Sequence, residues 1–407
     1  MYKMQVLCMK YHTYDFKLIN LYEDYAVLAR QRKRYVNAVE RFINLYGNQE
    51  TEIYSAAGRS EVGGNHTDHQ HGRVLAASIN LDAIAVVSPC ESTIKVVSDG
   101  FDIKDIDVND LDKRKEEART SESLIRGVVS RLKELGYVVG GFNAYVTSDV
   151  LTGAGLSSSA SFEVLIGTII SGLYNDMKID MVTIAKAGQY AENEYFEKPC
   201  GLMDQCACAV GGLISIDFQN PLKPIVEHVD VDFSKYNHSL CIVDTKGSHA
   251  NLTDDYAAIP SEMKTIAEHF GEEYLRDLNV EAFYNNIDSL REVYGDRSVL
   301  RTIHFINENQ RVNLLVQSLN EDDFETFKCL IRESGDSSYK YLQNVYSCKN
   351  PDSQAVSLAI ALSELILGNN GVCRVHGGGF AGTIQAFVSD DYVDTYKEEI
   401  EKFFGEG

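Results

Sequence analysis

The chain has 407 residues, of which 44% are apolar, and its formal net charge is −22. This length is too great for one ordinary hydrophobic core, so two domains, or one large domain, are predicted, and the apolar content predicts a well-packed globular protein. The acidic balance argues against a nucleic-acid partner held by neutralisation of its phosphates. A few cations and backbone amides can still bind a small anion.

The sequence lacks the usual marks of a membrane or secreted protein. No apolar run is long enough to span a bilayer, and the opening "MYKMQVLCMKYHTYDFKLIN" has no basic patch followed by an apolar stretch. Nine cysteines are scattered without a C-x-x-C pair. An odd number of cysteines without a signal predicts free thiols in a reducing cytoplasm. We therefore expect a cytoplasmic protein in which Cys206 and Cys208 are small, buried apolar side chains.

The first part of the chain predicts a helix followed by a sheet. Residues 1–50 are expected to be mostly helical up to a glycine stop. Alternating apolar residues predict several strands within 51–100, and the charged segment 101–120 is predicted to be a solvated excursion. An amphipathic helix is predicted over 122–136.

A strand over 141–150 leads into "LTGAGLSSSASFEVLIGTIISGLY", which predicts a glycine-serine loop and a buried helix. The apolar face of that helix follows the i, i+3, i+4 spacing, with Phe162, Leu165, Ile166, Ile169, Ile170 and Leu173. Further helices are predicted over 180–196 and 201–212.

The second half of the chain predicts longer helices and a closing hairpin. A domain boundary is expected near 220–240, because the sheet-rich half ends there. A strand is predicted over 240–245, and helices over 324–334 and 353–368. The segment "VCRVHGGGFAGTIQAFVS", residues 372–389, predicts strand, glycine turn and strand.

The loop "LTGAGLSSSAS" has the composition of a phosphate site. Glycines let backbone N–H groups approach a ligand, and the following helix N-terminus carries unpaired donors and partial positive charge. The structural alternative is a serine-rich cap on a core helix. It is not a Walker A loop, because no Gly-Lys-Ser/Thr follows.

Two other features have structural interpretations when they are taken alone. "GGGFAG", residues 377–382, fits the spacing of G-x-G-x-x-G, but strand-like residues follow where a dinucleotide fold needs a helix. Asp204, at the start of a short predicted helix, could be its cap, and Glu192 could be a solvated helix residue.

The stretch "GRSEVGGNHTDHQHGRVL", residues 58–75, raises the question of a metal site. His69 and His71 form an H-x-H pair beside His66 and Asp68, as in some metallohydrolases. The remaining histidines show no metal-ligand spacing. The alternative is a cluster for a polyhydroxylated ligand, because Asp, His and Asn supply the donors and acceptors that sugar hydroxyls need.

Three motifs, in this order, make the chain similar to the GHMP small-molecule kinases and within them to the galactokinases. Residues 58–75 resemble the galactokinase signature G-R-x-N-x-x-G-E-H-x-D-Y-x-x-G. "GAGLSSSAS" resembles the phosphate loop of the family, and "VHGGGFAGT" its C-terminal glycine motif. "CGLMDQ" and "SHANLTDDY" are also similar to galactokinase segments.

The resemblance implies an α+β chain with the two-domain GHMP kinase fold. Residues 1–225 would form a ribosomal-protein-S5-like α/β domain that binds sugar and ATP. Residues 226–407 would form a ferredoxin-like α/β domain, with the active site between the two domains.

The resemblance also implies an ATP-dependent sugar 1-kinase, above all a galactokinase that phosphorylates the C1 hydroxyl of galactose. Asp204 would be the catalytic base and Arg59 its cationic partner. An aspartate with an ordinary pKa of about 3.9 is ionised at neutral pH and can accept the hydroxyl proton, and a nearby arginine keeps it ionised. Positioning dominates phosphoryl transfer, because little covalent work is left to the protein.

The remaining site residues are assigned by the same resemblance. The loop that wraps the ATP phosphates would be Gly153, Ala154, Gly155, Leu156, Ser157, Ser158, Ser159 and Ala160. Mg²⁺ would be held by Ser159 and Glu192, since it favours oxygen ligands. The sugar pocket would be lined by Asn65, His66, Asp68, Gly201 and Tyr256. Gly378 and Gly379 would allow close approach to the cleft, and His69 and His71 would be supporting residues.

Three positions depart from the galactokinase pattern. Asn65 stands where galactokinases usually have a Glu that faces the C6 hydroxyl, His69 where they have Tyr, and Glu61 where they have Asn. An Asn has no charge to repel a carboxylate, so galacturonate is a rival substrate. The chain has no Trp, so contacts to the adenine must differ from those of related kinases.

Two other classes of function remain as alternatives. One is a zinc-dependent hydrolase built on the H-x-H pair, and the other is a non-catalytic sugar sensor, as some galactokinase relatives are. We expect a monomer or weak oligomer whose partners are a sugar and ATP, without nucleic acid or membrane.

Overall fold

The structure is a computed structural model that describes residues 7–9, 18–22, 25–151, 155–247 and 252–405. The chain divides into two compact units. Unit 1 comprises the described residues of 1–59, 78–152 and 156–212, and unit 2 comprises those of 60–77, 153–155 and 213–407. The units are not contiguous in sequence, because the early segment 60–77 belongs to unit 2. This division differs from the single boundary after residue 225 that the resemblance implies, and that boundary stays a prediction.

The sheet of unit 1 has the strand order β1-β2-β3-β6-β4-β5. Its strands are β1 (Leu7–Met9), β2 (Thr51–Gly63), β3 (Arg73–Cys90), β4 (Thr93–Ser98), β5 (Ile106–Asp107) and β6 (Gly141–Ser148). β3 and β6 pair antiparallel with Val86 opposite Tyr145, whereas β4 and β6 pair parallel. β2 and β3 are long and contribute residues to both units. The strand-rich segment 51–100 is therefore divided between the two units.

The α-helices among the described residues of unit 1 are α1 (Ile19–Tyr22), α2 (Tyr25–Tyr46), α3 (Ser121–Glu134), α4 (Ser158–Asn175), α5 (Met181–Tyr190) and α6 (Met203–Val210). The predicted buried helix is α4, and it packs against α3, α5 and α6. The central members of its predicted face, Leu165, Ile166, Ile169 and Ile170, are completely buried. The end members Phe162 and Leu173 are partly exposed.

The segment 101–120 is largely exposed, as its charge predicts, but a few of its apolar residues are buried. It contains β5, and Ile106, Val108 and Leu111 are only 1%, 6% and 7% exposed. The guanidinium of Arg126 donates to both carboxylate oxygens of Glu117, so the segment is tied to α3. Regularly placed apolar residues among the charges were the signal for this burial.

The further strands in the described part of unit 2 are β7 (Leu213–Asp217), β8 (Ile225–His228), β9 (His238–Asp244), β10 (Gly371–Val375) and β11 (Thr383–Ser389). β7 pairs antiparallel with residues 73–77 of β3 and with β8. β10, β11 and β9 form an antiparallel sheet in that order. The glycine stretch 377–382 is the turn between β10 and β11, so the prediction of strand, glycine turn and strand is confirmed.

The helices of unit 2 are α7 (Thr253–His269), α8 (Val280–Asn285), α9 (Ile287–Tyr294), α10 (Asp296–Asn320), α11 (Phe324–Ser337), α12 (Ala355–Leu367) and α13 (Val393–Phe404). α10, α11 and β7 share one apolar core with residues 60–77, which includes Val62, Leu75 and Leu315. None of the described helices is both long enough and apolar enough to cross a bilayer.

Candidate functional site

The first polar cluster lies in unit 1 and joins Arg59 to Asp204. Arg59 lies in β2, and Asp204 lies in the first turn of α6. Arg59 Nε donates to Asp204 Oδ1, and Arg59 Nη2 donates to Asp204 Oδ2, both at 2.8 Å. Such a two-pronged pair fixes the distance and the orientation of the carboxylate. The Arg59 side chain is 6% exposed and that of Asp204 33%, so the carboxylate remains accessible.

Asp204 does not act as the cap of its helix. The N-cap of α6 is Leu202, and no side chain caps this end. Burial alone would raise the pKa of Asp204. The charge and hydrogen bonds of Arg59, with a hydrogen bond from Ser157, outweigh burial and hold that pKa below its ordinary value. The carboxylate is therefore ionised at neutral pH. Gly201, which is predicted to bind the sugar, comes just before this helix and is partly exposed.

Ser157 links the predicted phosphate loop to this carboxylate. Its hydroxyl donates to Asp204 Oδ2, and its backbone is left-handed, with φ 57°, immediately before α4. Ser158, Ser159 and Ala160 form the first turn of α4, where unpaired amides can meet an anion. Among the other loop residues, Gly155 has φ 69° and Leu156 is buried. Gly153 and Ala154 lie outside the described residues.

Glu192 lies on a single π-helical turn, Ala191–Tyr195, that follows α5. Ser159 Oγ donates to Glu192 Oε1 at 3.2 Å, and the ammonium of Lys198 pairs with the same oxygen at 2.6 Å. Mg²⁺ usually takes one or two protein carboxylates and completes its shell with phosphate oxygens and water. The lysine ammonium shows that this carboxylate accommodates a cation, so Ser159 and Glu192 fit the ion.

The second polar cluster lies in unit 2, and Asn65 is at its centre. Asn65 Nδ2 donates to Glu61 Oε1 at 2.9 Å and to the Gly377 carbonyl oxygen at 2.7 Å. Asn65 Oδ1 accepts from Ser338 Oγ at 3.2 Å and from Asn344 Nδ2 at 2.8 Å. These four bonds use the whole capacity of an amide, and the residue is completely buried. In this structure Asn65 fixes the turn that follows it and has no group left for a sugar, which differs from the expectation of direct contact.

The three histidines of residues 58–75 face different partners. His66 Nε2 is 3.0 Å from the Gly378 carbonyl oxygen, and His66 Nδ1 is 3.3 Å from His69 Nε2. His71 stacks on Tyr274, with ring centroids 3.6 Å apart. Burial lowers the pKa of His66 to about 4 and that of His69 well below its ordinary value, so both rings are neutral. Within the described ranges, no three His, Cys, Asp or Glu side chains form a metal-binding group.

Asp68 and Tyr256 are the other predicted sugar-binding residues of unit 2. Asp68 is partly exposed, and its Oδ1 accepts the backbone N–H of His69 at 2.9 Å. Tyr256, on α7, donates its hydroxyl to the Gly379 carbonyl oxygen at 2.7 Å. A Cβ on Gly378 would lie 2.8 Å from the Tyr256 ring, so this turn needs glycine to lie against the tyrosine.

The ion pair between Glu61 and Arg374 was missed from the sequence. The two side chains are 2.9 Å apart and are 4% and 0% exposed. Arg374 Nη1 also donates to the Val62 carbonyl oxygen at 3.1 Å. Their separation of 313 positions hid the pairing. The available signal was Arg374 inside the otherwise apolar strand segment "GVCRV", since a buried charge needs a partner.

Two family models match segments of this chain. Residues 40–89 match the family model described as the galactokinase galactose-binding signature, and residues 123–212 match that of the GHMP kinases N terminal domain. A galactokinase from Actinobacillus pleuropneumoniae serotype 5b (strain L20) is 30% identical over 364 residues, which cover 88% of this chain and 90% of that protein. The chain belongs to the galactokinase family.

Other galactokinases are similar to the same extent. That of Glaesserella parasuis serovar 5 (strain SH0165) is 29% identical over 363 residues, covering 87% of this chain and 89% of that protein. As a member of this family the chain is a sugar kinase. The two matched segments contain Arg59 and Asp204, the residues that the unit 1 cluster joins.

Solved structures of galactokinases and related kinases share the fold. The Lactococcus lactis galactokinase complexed with galactose has a TM-score of 0.78 and 22% identity, covering 91% of this chain and 94% of that chain. The mevalonate kinase of Methanococcus jannaschii has a TM-score of 0.60 and 16% identity, covering 86% and 94%. The predicted GHMP kinase fold, an α+β arrangement, is confirmed.

The pKa of Asp204 gives a prediction for this galactokinase-family chain. Arg59→Gln removes the charge that lowers this pKa, so the carboxylate will protonate at higher pH. The acid limb of the kcat/KM profile should move to higher pH, and kcat should fall by about 10²-fold or more. Arg59→Lys keeps the charge without the two-pronged geometry and should give a smaller shift. Superimposable acid limbs in the wild type and Arg59→Gln would contradict the assignment.

A second prediction concerns Glu61 and Asn65, whose residue types are exchanged relative to the galactokinase signature. Glu61→Asn leaves the buried Arg374 without a carboxylate, and Asn65→Glu places a second carboxylate beside Glu61. Each single change should lower the free energy of unfolding by about 3–5 kcal/mol. The double variant returns one carboxylate and one amide to the pair and should recover much of the loss. Urea denaturation of all four proteins measures the coupling, and additive losses would show that the two positions are independent.

Proposed function

We propose that this chain is an ATP-dependent sugar 1-kinase that phosphorylates the anomeric C1 hydroxyl of galactose to galactose 1-phosphate. The observation that carries the proposal is the two-pronged Arg59–Asp204 pair, with Ser157 bonded to the same carboxylate at the start of α4. The Asp204 carboxylate, a charged proton acceptor, thus lies next to the N-terminus of α4, in a chain that belongs to the galactokinase family.

In this proposal Asp204 is the catalytic base and Arg59 its partner. A depressed pKa keeps the carboxylate ready to accept the C1 hydroxyl proton. The arginine holds the carboxylate in one orientation and offsets negative charge on the transferring phosphoryl group. Ser157 belongs to the proposed phosphate loop, and its hydroxyl donates to Asp204 Oδ2. This bond supports a placement of the base next to the phosphates of the nucleotide.

The loop from Gly153 to Ala160 is proposed to bind the ATP phosphates. Free amides in the first turn of α4 and the adjacent serine hydroxyls supply donors for them. Ser159 and Glu192 would hold Mg²⁺. When bound, Mg²⁺ neutralises charge on the phosphates. Lys198, which now pairs with Glu192, would then be available to a phosphate oxygen.

The sugar is proposed to be recognised by His66, Asp68, Gly201 and Tyr256. Neutral imidazoles, a carboxylate and a phenol supply the mixed donors and acceptors that hexose hydroxyls need. Asn65 takes part by fixing the turn from which His66 and Asp68 project. The Lactococcus lactis protein of the same fold is described in complex with galactose, which favours galactose as the substrate here.

Galacturonate is less well supported than galactose. That alternative relied on Asn65 meeting the C6 group without repelling a carboxylate. Both amide donors of Asn65 are already used, so the side chain offers a carboxylate no hydrogen bond. Among the described residues, the buried polar atoms of this cluster without a partner are acceptors, His69 Nδ1 and Asn344 Oδ1. Acceptors suit hydroxyl donors and disfavour a carboxylate.

The test is a sugar panel of galactose, galacturonate, N-acetylgalactosamine and arabinose, assayed for ADP release with Mg²⁺ and ATP. Galactose should give the highest kcat/KM. Asp204→Asn keeps the shape of the base and removes its charge, so kcat should fall by about 10²–10⁴-fold while galactose binding by calorimetry survives. Asp180→Asn, at the N-cap of α5, is the matched control, because asparagine caps equally well.

Each other outcome removes a defined part of the proposal. ADP release with galacturonate alone would leave a kinase with a different substrate. Galactose binding without ADP release from any sugar would favour a non-catalytic sensor. Stoichiometric zinc retained through purification, with hydrolytic activity, would favour the hydrolase. An Asp204→Asn enzyme of near-normal rate would remove the assigned base.

A further inference from the structure

A second layer of buried polar side chains lies beside the Asp204 cluster in unit 1. It consists of Glu163 on α4, Glu192 on the π turn and Gln205 on α6, which are 0%, 2% and 0% exposed. An unpaired buried polar group costs free energy, and among the described residues Glu163 Oε1 and Gln205 Oε1 have no hydrogen-bond partner, so the contacts made by Gln205 Nε2 matter most here. The positions of these three side chains relative to one another are therefore specific.

Gln205 bridges the two carboxylates with one amide nitrogen. Gln205 Nε2 donates to Glu163 Oε2 at 3.0 Å and to Glu192 Oε2 at 2.9 Å. An amide NH₂ has two hydrogens, so both are used. A Cβ on Gly188 would lie 3.1 Å from Glu163 Oε2 and 3.2 Å from Gln205 Cγ. A glycine on α5 thus provides the space in which the three groups meet.

The bridge fixes the orientation of the Glu192 carboxylate relative to the phosphate loop. Oε2 is held by Gln205, while Oε1 meets the Ser159 hydroxyl at 3.2 Å and the Lys198 ammonium at 2.6 Å. Rotation of the carboxylate would break the bond to Gln205 and leave a buried donor unpaired. Glu192 lies on a π turn, where the helical backbone departs from regular α geometry. The hydrogen bond from Gln205 therefore helps to orient the Glu192 side chain.

Gln205 is also the next residue after Asp204, in the same first turn of α6. We propose that Gln205 is a positioning residue for phosphoryl transfer, which holds Glu192 Oε1 toward Ser159 and keeps this carboxylate at a fixed distance from Asp204. Glu163 is the second anchor of its amide. This inference rests on the proposed function, since it gives Glu192 the role of holding Mg²⁺.

A purely structural role for Gln205 predicts different behaviour. An amide that only satisfies buried carboxylates would, when removed, lower stability without changing the response to metal. A positioning residue must alter the affinity for Mg²⁺ in the nucleotide complex, because the ligand oxygen is no longer oriented. Metal dependence is therefore the measurement that separates the two roles.

The experiment titrates Mg²⁺ into the full chain with ADP by calorimetry, and repeats ADP binding in EDTA. Gln205→Leu should weaken Mg²⁺-dependent ADP binding by at least about 10-fold and leave binding in EDTA unchanged. The Mg²⁺ concentration that gives half-maximal sugar phosphorylation should rise by a similar factor, with little change in KM for galactose.

Gln31→Leu is the matched control. Gln31 is 1% exposed in the same unit, and its Nε2 donates to Asp149 Oδ2 at 3.1 Å. It is a buried amide on a carboxylate outside the proposed machinery. Gln31→Leu should lower the melting temperature and leave the Mg²⁺ dependence at the wild-type value.

Gln205→Asn keeps the amide but shortens the side chain, so it can reach only one of the two carboxylates. It should fold even if Gln205→Leu does not, and should still raise the Mg²⁺ requirement several-fold. A folded Gln205→Asn or Gln205→Leu protein with wild-type Mg²⁺ dependence would overturn the inference alone. A wild-type protein without Mg²⁺-dependent ADP binding would overturn the proposed function as well.

Discussion

The ion pair between Arg59 and Asp204 reconciles two opposing demands on one carboxylate. Asp204 is proposed to act as a base on a bound substrate, which requires that it be partly removed from water, and burial favours its protonated form. Arg59 reverses this effect and keeps the group charged. Because both contacts are fixed by a planar guanidinium, the interaction that sets the charge also sets the position. With the hydroxyl of Ser157, side chains from β2, α4 and α6 meet at this carboxylate.

Unit 2 uses buried charge for a different purpose. Glu61 and Arg374 lose their hydration almost completely, so their pairing offsets a cost more than it adds net stability. Asn65 bonds to Glu61 and to the turn between β10 and β11, which ties residues early and late in the sequence together. Its bonds support a turn in which His66 and His71 have φ of 56° and 59°, a conformation that is costly without such support. The network therefore specifies one backbone geometry for the residues proposed to meet the sugar.

The sequence was informative where local patterns determine structure and uninformative where distant side chains meet. The helix spacing of residues 162–173 predicted α4, and the strand-like residues after "GGGFAG" argued for a turn between strands and against a dinucleotide site. The resemblance brought Arg59 and Asp204 together although 145 positions separate them. The resemblance could not show that Asn65 makes four hydrogen bonds within the protein, because three of its partners, residues 338, 344 and 377, are distant in the sequence. Nor could any local pattern show that 60–77 belongs to unit 2, since strand periodicity does not reveal which core a strand enters.

An acidic chain proposed to bind an anionic nucleotide has to attract it locally. At physiological ionic strength charges farther away than about 8 Å are largely screened, so the total of −22 matters less than the groups in contact with the ligand. A polymer of phosphates would meet many acidic positions at once, whereas a single triphosphate meets only one loop and its neighbours. The free amides at the start of α4 and the half-exposed ammonium of Lys198 are such local groups. The same net charge thus argues against a nucleic-acid partner and remains compatible with a phosphate loop.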